Sequence, residues 1–124
     1  MAVILFASLY ALFNVFGAAI IKHKLLDHSV HSPMEFIWFL LDMKIIGAMG
    51  LIFISMFFSI KALSLGSFSI VIPISTGINF LLTLWLGYIF FNDNLSLTVY
   101  LGILLIITGV ALISISLTNN ANPV

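Results

Sequence analysis

Asn14, Ser75, Thr76 and Asn79 stand inside long apolar runs, and what they offer is neutral hydrogen bonding. An amide or a hydroxyl supplies donors and acceptors without charge, so a proton can be neither stored nor released at Asn14. In a hydrocarbon setting Asn14 must find a partner or water. It therefore either lines a cavity or bonds a neighbouring helix. The same polar segment holds Pro73 and Gly77. Pro73 lacks a backbone donor and is expected to kink a helix or to mark its first ordered turn. Gly77 supplies backbone freedom or close approach. Charged side chains near the apolar runs are few. Lys22 ends the first run, and Asp42 sits two residues from Lys44, off its helix face. His28 and His31 fall i,i+3 if helical, but no convincing third or fourth ligand accompanies them, so no metal is expected. No cofactor is expected either. No Ser/His/Asp, Cys/His, paired-carboxylate or phosphate-loop arrangement occurs, which argues against an enzyme.

The elements that must position these groups follow from composition. The chain has 124 residues, 63% hydrophobic and 6% charged, with a mean hydropathy of +1.32. Soluble domains carry about 25% charged residues, which excludes an ordinary soluble fold. About 20 apolar residues cross a hydrocarbon core of about 30 Å, so the length suits four crossings. The expected fold is an all-α membrane protein with a single domain over residues 1–118. Its spans are expected at about 3–21, 45–60, 68–91 and 97–117. The polar residues 119–124 are expected to be a disordered tail. Residues 22–34 read as a polar connection. Residues 35–44 are either a short interfacial helix with its aromatics at headgroup level or the first turns of the second span. In the second case Asp42 would lie one to two turns inside and carry functional weight. Residues 62–67 read as a tight connection, and Asn92-Asp93-Asn94 as a turn.

Gly47 and Gly50 offer the second span a close-packing face. Gly102 and Gly109, seven apart, share one face of the fourth and suit a helix contact within or between protomers. The N-terminus lacks a charged region and runs on into the first span, unlike a cleaved signal. The absence of arginine leaves no basic patch for nucleic acid. The lipid bilayer is the expected partner. Lys22, Lys24 and Lys44 outnumber Lys61, which predicts the first connection on the cytoplasmic side and both termini outside.

Third-run residues Ala62 to Asp93 have a polar, breakable half followed by a greasy one. Such a helix suits the lining of a cavity at membrane depth, as in membrane transport proteins.

Three places carry a resemblance. Asn14-Val15-Phe16-Gly17, followed by Ile20-Ile21-Lys22, parallels an acid-x-x-Gly segment with a lysine eight residues after the acid. Ser75-Thr76-Gly77-Ile78-Asn79 occupies the place of a Trp-Ser-Gly-x-Gly bend, and Phe90-Phe91-Asn92-Asp93-Asn94-Leu95 parallels the turn before a last helix. Gly102-Ile103-Leu104-Leu105-Ile106-Ile107-Thr108-Gly109-Val110 follows a glycine motif that joins two protomers. On these residues the chain resembles the small multidrug resistance family, within the drug/metabolite transporter superfamily.

The resemblance implies a dimer, of like or paralogous chains, in the cell membrane. Asn14, Ser75, Thr76 and Asn79 would line its cavity, Pro73 and Gly77 would bend its third helix, and Gly102 and Gly109 would hold it together. Drug-exporting members have a membrane glutamate where this chain has Asn14. Proton-coupled cation export is then disfavoured unless Asp42, with Lys22, supplies the charge coupling. Four-span members of the superfamily proposed to flip undecaprenyl-phosphate-linked sugars resemble the chain better. They lack the glutamate, have a longer first connection and place proline and asparagine in the third span. The expected substrate is thus a small polar or lipid-linked solute. The competing expectation is a membrane partner subunit that transports nothing.

Overall fold

The fold is that of a computed structural model describing residues 1–120, with side chains as far as residue 115. Helices follow one another as α1 (Ala2–Asp27), α2 (Pro33–Leu40), α3 (Met43–Leu65), α4 (Phe68–Phe91) and α5 (Leu97–Asn120). α1, α3, α4 and α5 are each long and apolar enough to cross a membrane. The chain is an all-α, multi-pass membrane protein. Of the expected tail, residues 119 and 120 belong to α5, and residues 121–124 lie outside the described residues.

Helix ends differ from the hydropathic boundaries for a physical reason. α1 runs through Lys22-His23-Lys24 to Asp27, because a helix needs no hydrocarbon once begun and Lys and Leu favour it. α3 likewise continues past Lys61 to Leu65, so the expected connection over 62–67 shrinks to Gly66 and Ser67. Residues 33–40 form a helix of their own. Ser32 caps it, its Oγ accepting from the Glu35 N–H while the Glu35 carboxylate accepts from the Ser32 N–H. The chain breaks at Leu41 and restarts with Asp42 as the cap of α3.

α1 is the central helix. It packs most extensively on α3, then on α4, while α5 packs on α4. Phe13 and Phe6 stack on Phe58, Gly17 meets Ala48 and Ile52, and Lys24 pairs with Asp42 at 2.9 Å. The rising α1 numbers against falling α3 numbers make the two antiparallel. Tyr10 against Asn79 and Lys22 against Asp93 make α1 and α4 parallel. The contact surface is made of small residues. Ala7, Ala11, Ala48, Ser55 and Ala62 are fully buried, as lipid-embedded helices that associate by close packing require. One end of the bundle thus gathers Lys22, Lys24 and Lys44 with all four acids, Asp27, Glu35, Asp42 and Asp93. The opposite end carries Lys61.

This arrangement predicts side-specific labelling, which the absence of native cysteine makes simple. Ser29→Cys and Ser96→Cys are expected to react with an impermeant maleimide from one face, and Ser67→Cys from the other. Labelling of Ser29→Cys from the cytoplasmic face would fix the orientation that the lysine count favours. Reaction of Ser29→Cys and Ser67→Cys from the same face would overturn the arrangement.

Candidate functional site

Of the expected cavity residues, Asn79 meets α1 across the α1–α4 seam. Asn79 Nδ2 donates to the Tyr10 hydroxyl at 3.4 Å, a long and weak bond. One turn further along α4, Thr83 Oγ1 donates back to the Asn79 carbonyl at 2.8 Å. Thr76, Asn79, Phe80 and Thr83 line a shallow groove of about 230 Å³. Thr76 and Thr83 are exposed and Asn79 is half-buried. On α1, Asn14 follows Tyr10 by four residues and so lies on the same face. Asn14 is half-buried and has no hydrogen-bond partner among the described residues. Ser75 is buried, and its Oγ is the one buried side-chain N or O atom among the described residues without a partner.

Towards the charged end the seam continues as a groove of about 110 Å³ whose lining includes Val15, Ala18, Thr83, Leu86 and Gly87. Thr83 belongs to both grooves and joins them. Lys22 ends the second, reaching Asp93 at 3.4 Å and lying 4.6 Å above the Phe91 ring. Asp93 is placed there by the end of α4. Asn92 adopts the left-handed conformation (φ 48°), and the Asp93 N–H returns to the Gly87 carbonyl.

α4 is unbroken from Phe68 to Phe91 and begins ahead of Pro73, which therefore does not mark its first turn. Gly77 serves close approach: a Cβ there would stand 2.8 Å from Val110 Cγ2. Among the described residues, Gly47, Gly50, Gly102 and Gly109 have nothing within 4 Å of a would-be Cβ. Between Leu97 and Ile115, α5 has no buried residue. Thr108 spends its hydroxyl on the Leu104 carbonyl, at 2.7 Å.

Asp42 lies outside the seam, as the cap of α3. Lys24, first, and the Lys44 N–H hold its carboxyl below the usual carboxylate range. It is an ionised anchor between the α1 end and the α3 start. Glu35 is likewise held low by the backbone N–H groups of His31 and Ser32.

Sequence reading singled out neither Tyr10 nor Thr83 as a site residue. Each sits one turn from a residue it did select, Asn14 and Asn79, and that spacing was the available signal.

The fold and its neutral seam define a class, the small multi-pass α-helical membrane protein. No family model matches this chain, and no curated protein or solved structure matches it. The likeness to small multidrug resistance proteins accordingly rests on the residues quoted above.

Proposed function

We propose that this protein is a small transporter of the cell membrane that works as a dimer and moves a polar-headed or lipid-linked solute. The supporting observation is the open polar face of α4. At mid-helix, Thr76 has no side-chain hydrogen bond among the described residues and Asn79 makes one long bond, to Tyr10, while Thr83 gives its proton to the Asn79 carbonyl and keeps an acceptor oxygen. Bare polar groups facing lipid are costly, whereas groups lining a wet passage are not. Neutral amides and hydroxyls suit hydroxyls or a phosphate oxygen and leave cationic cargo without a counter-charge. The dimer is supported by α5, whose glycine face is bare. Two oppositely inserted copies would supply the inverted repeat that alternating access uses. Proton coupling is not favoured, because Asn14 and Asn79 carry no ionisable group and Asp42 is committed to Lys24.

Liposomes loaded with the purified protein test this reading. Movement of an undecaprenyl-phosphate-type lipid is expected at equal rates with and without a pH gradient. Proton-driven uptake of a lipophilic cation would overturn it in favour of the drug-export mechanism. The bare α5 also favours a second reading, a subunit docked on a larger membrane protein. Purified alone in mild detergent, such a subunit would remain monomeric and inactive.

A further inference from the structure

The charged end holds a second feature that the seam does not use. α2 has no buried residue, and Phe36, Ile37 and Trp38 are all more than half exposed. It packs lightly on α3 alone among the described helices. An apolar, aromatic helix without protein cover, at the end of the bundle that holds the four acids, belongs at headgroup level in a bilayer.

Between α2, the last turn of α1 and the linker lies a cleft of about 440 Å³, within the range of roughly 300–1,000 Å³ that small-molecule sites occupy. Its lining includes Lys24, His28, Glu35, Trp38, Phe39 and Asp42. Lys24 is matched by Asp42 at 2.9 Å, and Glu35 forms no ion pair with a lysine among the described residues. Glu35 Oε2 accepts the N–H groups of His31 and Ser32, so Oε1 is free. With His28 neutral, one lysine and two carboxylates give the lining a net charge of −1. A carboxylate beside aromatic faces is a setting for an ammonium group. Lys24 keeps further N–H donors beyond the one given to Asp42, and these suit a phosphate.

We infer that this cleft binds the headgroup of an ammonium-bearing zwitterionic phospholipid. The ammonium sits against Glu35 and Trp38, the phosphate takes donors from Lys24, and the acyl chains run beside the apolar side chains of α2. This binding is separate from transport along the seam. The negative lining selects against purely anionic headgroups.

The protein has two tryptophans, so Trp85→Phe leaves Trp38 as the reporter of its own surroundings. In phosphatidylglycerol nanodiscs titrated with phosphatidylethanolamine, Trp38 emission is expected to change saturably at a low fraction of added lipid. Glu35→Gln keeps the cap, since glutamine serves there as well as glutamate, and removes the charge alone. It is expected to raise the half-saturating fraction about tenfold, the loss of one charge-assisted bond of about 1.5 kcal/mol. Three results would overturn the inference. They are an unchanged half-saturation in Glu35→Gln, a linear response without saturation, and equal binding of soluble phosphoethanolamine, which would remove the need for a lipid.

Discussion

Asn14→Leu and Asn79→Leu are each expected to reduce transport by one to two orders of magnitude while leaving the protein inserted, folded and dimeric. The two halves of that expectation rest on different quantities. Asn79 makes one long bond, 3.4 Å to Tyr10, and Asn14 makes none among the described residues. Interhelical bonds in lipid average about 0.6 kcal/mol, so little stability is at stake in either change. A polar cargo group held in the seam loses more. An unsatisfied polar group costs about 1–3 kcal/mol, or roughly 5–150-fold in rate if the loss falls on the crossing barrier. Thr108→Val is the control, because that hydroxyl is spent on its own helix α5, which packs on α4 and not on α1. The measurement is lipid movement in liposomes with matched protein content. Wild-type rates in both leucine variants would remove the seam as the pathway.

Hydropathy exposed the membrane class and the four long helices because the bilayer imposes a single strong rule, about 20 apolar residues per crossing. The same rule does not set helix ends, since α1 runs on past Ile21 through Lys22, His23 and Lys24 to Asp27. Ser32 and Glu35 spell out a capping box, S-x-x-E, which is the sequence signature of a helix beginning at Pro33. The seam was legible in part. Asn14, Ser75, Thr76 and Asn79 stood out as polar letters in apolar text, whereas Tyr10 and Thr83 pass as ordinary membrane residues until a partner helix is placed beside them. Glycine was the least legible type. Gly17 and Gly77 are packed tightly against a neighbour, while a Cβ at Gly47, Gly50, Gly102 or Gly109 would meet no atom within 4 Å among the described residues. Spacing alone cannot tell a glycine that faces a helix of its own chain from one that faces lipid or a second copy.

That division of the glycines makes the sharpest stability contrast. Gly17→Leu is expected to prevent accumulation of folded protein. A Cβ at Gly17 would stand 2.7 Å from Ile52 Cγ1 and 2.9 Å from the Ala48 carbonyl oxygen, and the second of these is backbone. α1 and α3 would have to separate along the most extensive contact of the bundle. Overpacking costs about 1–3 kcal/mol for added methylenes in a core. In lipid no hydrophobic drive holds the helices together once their close fit is lost. Gly109→Leu meets no such atom, so the protomer is expected to keep its wild-type melting temperature. If the bare α5 face joins two copies, the same change should convert the dimer to a monomer. Light scattering and thermal melts in one mild detergent separate the two effects. A Gly109→Leu dimer of wild-type stability would place the contact between copies elsewhere than on α5. A Gly17→Leu protein with wild-type melting would overturn the close packing of α1 on α3, because a leucine cannot occupy the space between Gly17 and the Ala48 carbonyl.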